Sequence, residues 1–208
     1  MTALSVILMI RRESPLAYTY NAQNTVDKIT VSNKVGSKTY TFITTFTYDA
    51  MSKAGKAVTV FNGVTYQTNV FTCTETQLSQ ITSTDANNEI ESIRFEYTGE
   101  SISKAFAKFD SEKEYLYYEA TKFDTNKSLY PEAYKAFMMG FMGLVDDYFY
   151  LSKNNTLTKK FYEKDGSIYT TADKAYEYNS TQPTKLTASL TESGLKNNVL
   201  KVYQYSCK

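Results

Sequence analysis

The chain has 208 residues, with 23 Lys and Arg against 22 Asp and Glu, 19 Tyr, 12 Phe, no Trp and no His. The near-neutral balance carries no basic stripe of the kind that nucleic acid requires. The missing His removes Ser-His-Asp and Cys-His catalysis and the usual His-containing zinc and iron sites. An apolar fraction of 42% suits a globular domain, and its Tyr, Phe, Thr and Val fit a pleated, half-buried surface better than a helix interior.

The chain opens on an apolar run, residues 2–10, followed by Arg11 and Arg12. A signal peptide carries its charges before the apolar stretch, and this run is too short to span a bilayer. It reads as a buried strand or a remnant foreign to the domain, so residues 1–24 are set apart as an N-terminal segment or strand and 25–208 as one β-rich domain. No transmembrane segment is expected.

The segment Tyr40–Tyr48 has a period of two, with Tyr40, Phe42, Phe46 and Tyr48 on one side and Thr41, Thr45 and Thr47 on the other. That is a half-buried strand. Val58–Phe61 and Val64–Gln67 flank Asn62-Gly63, a two-residue hairpin turn in which both central residues take positive φ. Asp85–Glu89 has oxygen ligands on alternate residues but too few for a calcium loop, and reads as an Asn-rich turn. Glu91–Tyr97 places Ile93, Phe95 and Tyr97 on one face and is stopped by Gly99. Tyr115–Phe123 is aromatic on both faces.

From Pro131 to Leu151, Ala133, Phe137, Phe141, Leu144, Val145 and Tyr148 recur at three- and four-residue steps, which predicts one helix. Pro131 suits its first turn and Glu132 the positive end of its dipole, while Gly140 and Gly143 weaken it. Met138, Met139 and Met142 are core filler, or else a ligand-adaptive surface. Asp165-Gly166 predicts a second two-residue turn between Thr158–Lys164 and Ser167–Thr171. Ala175–Tyr178, Lys185–Thr191 and Val199–Tyr205 complete the strands. Cys73 and Cys207 are read as two free thiols, with a disulfide as the alternative.

Three segments share an aromatic strand, Tyr-Asp or Tyr-Gly, a turn and a Lys-bearing strand. They are Phe46–Asp49 leading to Gly55-Lys56, Phe95–Gly99 leading to Ile102–Lys104, and Tyr176–Asn179 leading to Pro183–Leu186. They resemble the tyrosine–aspartate (YD, RHS-like) repeat style. With Leu151–Lys159 and the closing aromatic strand, the chain from about Thr25 onward is similar to an uncharacterised family of secreted or lipid-anchored, β-rich Bacteroidetes proteins. The resemblance implies a single curved antiparallel sheet of successive hairpins, a YD-repeat-like meander, with one helix near 131–151 packed on it. It also implies export to the cell envelope or beyond, in a family with no established enzymatic activity. No cofactor, metal site or catalytic residue is expected.

The functional expectation is a secreted or cell-envelope-associated binding or structural module, its partner a glycan or another envelope protein. The alternative is a carboxylate-dependent hydrolase acting on glycan or cell-wall material, with Asp146-Asp147 or Glu112 and Glu114 as the acid pair. The tyrosines have two readings as well. They fill a thin β core with their hydroxyls at its edge, or Tyr115, Tyr117, Tyr118, Tyr176 and Tyr178 form a platform that stacks on a sugar or polymer.

Overall fold

The computed structural model describes residues 16–49, 53–128, 132–140, 148–180 and 182–203. The run at residues 2–10, Pro131, Phe141, Met142, Gly143, Leu144, Val145, Asp146-Asp147 and Cys207 lie outside them. Thirteen strands are described, and their order in the sheet is their order in the chain, β1 to β13. They are β1 Leu16–Tyr20, β2 Val26–Val35, β3 Lys38–Tyr48, β4 Ala54–Phe61, β5 Val64–Cys73, β6 Leu78–Asp85, β7 Ile90–Thr98, β8 Ser101–Phe109, β9 Tyr115–Lys127, β10 Asn154–Tyr162, β11 Ile168–Asn179, β12 Gln182–Glu192 and β13 Leu195–Val202. The expectation of a mostly β, antiparallel meander of hairpins with one helix holds. Ser167–Thr171 and Ala175–Tyr178 are parts of one strand, β11.

Two compact units make up the chain. Met1–Ile93, Phe109–Ser111 and Glu132–Asp147 form the first, and Arg94–Lys108, Glu112–Pro131 and Tyr148–Lys208 the second. In the first unit, period-two burial on β3 sends Phe42, Thr44 and Phe46 inward and leaves Thr41's neighbours Ile43, Thr45 and Thr47 exposed. The inward row pairs Phe46 with Ala57 and Thr44 with Thr59 across β4. Burying each phenylalanine is worth about 1.5–3 kcal/mol. Phe42 stacks on Phe61 at 4.4 Å, and Phe46 on Phe71 at 6.5 Å.

Not all of that inner face is apolar. Thr44, Thr59, Gln67, Asn69 and Ser83 are all buried along it. Thr44 and Thr59 share a hydroxyl hydrogen bond of 2.9 Å, and Gln67 Nε2 donates to Asn69 Oδ1 and Ser83 Oγ at 2.9 and 2.8 Å. The row serves the end of a helix.

That helix, α1, runs Glu132–Gly140 and buries Ala136, Phe137 and Met138. Glu132 opens it at the positive end of the dipole and pairs with Lys135 at 2.9 Å. A helix leaves its last carbonyls unpaired. Asn69 Nδ2 donates to Met139 O at 2.8 Å and Gly140 O at 3.1 Å, and the Thr59 hydroxyl donates to Gly140 O at 3.3 Å. Within the predicted span Pro131–Leu151, the described residues show the α-helix Glu132–Gly140 and a 3₁₀ turn at Tyr148–Leu151.

The turns sort by chemistry. Asn62 (φ 48°) and Gly63 (φ 86°) join Phe61 to Val64 as the predicted two-residue hairpin. Asp165-Gly166 differs. Gly166 N donates to Glu163 O and Glu163 N to Ser167 O, so three residues, Lys164–Gly166, form the tip. Only Gly166 there has positive φ, while Asp165 Oδ1 accepts from Ser167 N at 2.8 Å. This is a type I turn closed by a left-handed glycine, and the register slips at Phe161/Tyr162 beside it. Asp85–Glu89 closes the same way with Asn88 left-handed, and Asp85 Oδ1 accepts from the Asn87 and Glu89 amides. Its carboxylate is spent on the turn, as the Asn-rich reading expects.

Candidate functional site: an aromatic face in the second unit

Strand β9 brings three of the predicted tyrosines together through an irregularity. Ala105 pairs with Tyr118, but Phe106 pairs with Leu116, so Tyr117 is the extra residue of a β-bulge. In a regular strand Tyr117 and Tyr118 would face opposite sides. The bulge turns both toward Phe161, at 5.6 and 5.4 Å between ring centroids. Tyr115 meets Tyr117 edge-on at 6.4 Å, and Tyr169 joins at 6.0 Å from Phe161. Tyr118 is 0% exposed, so it is core, whereas Tyr115 and Tyr117 are half-buried. Small buried residues on β8, Ala105 and Ala107, lie opposite Tyr118 and Tyr115 and make room for the rings.

The register carries this face across to β11. Phe161 pairs with Thr170 and Lys159 with Ala172, so Ala172, Lys174, Tyr176 and Tyr178 share the side of Phe161 by alternation. Lys159 is buried, with its ammonium 4.7 Å from the Phe161 ring centroid. Tyr176 and Tyr178 are half-buried and lie 6.1 Å apart at 36°.

Tyr178 is held by its hydroxyl, which donates to Asp124 Oδ2 and accepts from Asn155 Nδ2 at 2.9 Å. Burial, and then the Asp124 carboxylate, push its phenol above the ordinary range. Asp124 Oδ1 accepts from the Asn126 and Asn155 amides at 3.1 Å each, and Oδ2 also takes Asn155 Nδ2 at 3.2 Å. Asn155 and Asp124 were not foreseen as site residues. The signal for them was polar side chains inside strand-like stretches, where a buried amide or carboxylate needs partners.

Of the predicted acid pairs, Asp146-Asp147 lies outside the described residues, and Glu112 and Glu114 are each engaged by a different cation. Exposed Glu114 binds half-buried Arg94 through both oxygens, and Glu112 pairs with Lys164, both exposed. Arg94 also binds Glu96 and lies 4.1 Å over the Phe106 ring. Among the described residues no group of three or more Cys, Asp and Glu is placed to hold a metal ion.

The segments with the YD-like theme fall on the hairpins β3–β4, β7–β8 and β11–β12, four strands apart each time. No protein-family model matches the chain, and no curated protein is significantly similar to it. Among solved structures it is similar to a porin-like protein from Bacteroides uniformis, at 17% identity and a TM-score of 0.46, over 89% of this chain and 87% of that one.

Proposed function

We propose that the chain is a secreted or cell-envelope-associated binding module whose partner is a glycan or another envelope protein. Tyr115, Tyr117, Tyr176 and Tyr178 are its contact residues. The observation that carries the reading is the pair Tyr176 and Tyr178, two half-buried rings on one face. One of them is fixed through its hydroxyl by Asp124 and Asn155. A fixed ring loses little freedom on binding, and its flat apolar face suits the C–H side of a sugar. Tyr118 belongs to the core beneath the platform.

The same network weighs against the hydrolase reading. Both oxygens of Asp124 already take donors, whereas a general acid or nucleophile must be able to reach the glycosidic bond. The envelope placement, the exported character and the YD-repeat kinship rest on the sequence resemblance. The outward positions of β3 carry Ile43, Thr45 and Thr47, paired across β4 with Val60, Val58 and Lys56, a mixed set of apolar and polar side chains. Among the described residues no helix is long and apolar enough to cross a membrane.

Calorimetric titration against a panel of soluble polysaccharides tests the reading, with Tyr176→Ala beside the parent chain. One polysaccharide should bind, and the variant should weaken it about fivefold, the worth of about 1 kcal/mol for one ring contact. Binding that Tyr176→Ala, Tyr115→Ala and Tyr117→Ala all leave unchanged would remove the platform from the account.

A further inference from the structure

The first unit contains a cleft of about 190 Å³ that the glycan reading does not use. It is lined by Ala54 on β4, Phe71 and Cys73 on β5, Leu78 on β6 and Met139 of α1, together with Lys53, Thr76 and Gln77. Strand pairing explains the cluster. Phe71 is buried, and the register slip between Thr72 and Cys73 leaves Cys73 exposed at the mouth. Met139 is fixed by its backbone, because Asn69 holds its carbonyl, while its unbranched thioether is free to adapt to whatever enters.

We propose that this cleft is a binding site for a compact, uncharged apolar ligand the size of one aromatic ring. Size sets the upper bound, since an apolar cavity of about 150 Å³ accommodates benzene. Polarity sets the class. A trapped water needs two to four polar partners, and the lining is mainly alkyl, aryl and thioether, with Thr76 and Gln77 its polar members beside Lys53. The one cation nearby is already engaged. The Lys53 ammonium donates to Thr74 O at 3.1 Å and to Glu75 O, closing the β5–β6 turn, and Asp49 lies close enough to act on Cys73 against it. With the two charges opposed at the rim, the site selects neither an anion nor a cation. Burial also pushes the Cys73 thiol above its ordinary value, so Cys73 is a slow nucleophile and serves as a reporter of occupancy.

The Cys207→Ser chain leaves Cys73 as the one thiol, because the sequence has two cysteines. Its alkylation by iodoacetamide is followed while benzene is titrated, together with the methyl resonance of Met139. Occupancy should slow alkylation about tenfold once benzene reaches ten times its Kd, and the Met139 methyl should shift along the same curve. Ala54→Phe, which fills the cleft from within, should abolish both responses. An unchanged Cys73 rate overturns the proposal. So does protection of Cys73 without a Met139 shift, or protection that persists in Ala54→Phe, because the ligand would then sit elsewhere.

Discussion

Asn69 donates from Nδ2 to the main-chain oxygen of Met139 at 2.8 Å, linking the middle of β5 to the end of a helix seventy residues away. The same nitrogen reaches Gly140 O at 3.1 Å, while Asn69 Oδ1 accepts from Gln67. One amide therefore closes both the polar row of the sheet and the carbonyl end of α1. Asn69→Leu should lower stability by about 1–3 kcal/mol, because it removes the side-chain donor to Met139 O, one of the two side-chain donors to Gly140 O and one of the acceptors of Gln67. Chemical denaturation checks it. A loss below about 0.5 kcal/mol would mean that water replaces the amide there.

Gly140 is fixed by space. A Cβ at that position would lie 2.9 Å from Thr44 Cγ2 and 3.4 Å from the Phe46 ring. Ala is the better helix former by up to about 1 kcal/mol, but forcing a methyl into a packed interface costs about 1–3 kcal/mol. Gly140→Ala should therefore destabilise on balance. Thr44→Ser removes the offending methyl and keeps the hydroxyl bonded to Thr59, so the double variant should recover part of the loss. Additive losses in a double-mutant cycle would show that the clash is not with Thr44.

These two contacts mark the limit of what the sequence reveals. Alternation along β3 is legible in Tyr40–Tyr48, and Phe42 and Phe46 are buried as that pattern requires. Local turn chemistry places Asn62-Gly63 correctly. Gln67, Asn69 and Ser83 facing inward are not legible, since a polar residue on a strand looks water-facing until a helix end arrives to use it. Nor is the bulge at Tyr117 legible. Without it Tyr115 and Tyr118 would face opposite sides, whereas the register sends both toward the face of Phe161. One inserted residue inverts every side chain beyond it.

The two glycine-tipped hairpins should respond differently to their neighbours. Gly63→Val and Gly166→Val both place a β-branched residue at positive φ, 86° and 84°, with open space around the added Cβ. Each should cost about 1–2 kcal/mol from backbone strain alone. Asn62 also has positive φ, whereas Asp165 does not. Replacement by Ala at Asn62 should therefore strain the backbone, and at Asp165 should lose only the hydrogen bond to Ser167. Melting temperatures of the four variants test the assignment. Equal losses for Asn62→Ala and Asp165→Ala, with Gly166→Val silent, would mean that the second tip is not built as described.

The last prediction concerns pH. Tyr162 donates its hydroxyl to Glu119 Oε2 at 2.8 Å, on the side of β10 away from Phe161. Burial of the ring, followed by that hydrogen bond and the nearby carboxylate charge, raises its phenol from 10.0 to about 12. The neutral phenol is the form that the folded chain favours. A native value raised above the unfolded one gives a contribution that is complete below pH 10 and lost as pH climbs through 10 toward 12. Stability should therefore fall across that window, and Tyr178, also raised, should fall with it. Tyr162→Phe removes the titrating group, so its urea midpoint should lie below the parent's near pH 8 and converge on it by about pH 12. Glu119→Gln removes the carboxylate that opposes ionisation, so it should bring the Tyr162 titration closer to 10. Ultraviolet titration of the phenolate reads that movement directly. A Tyr162 that ionises at its ordinary value in the folded parent chain would show that the bond to Glu119 does not persist in solution.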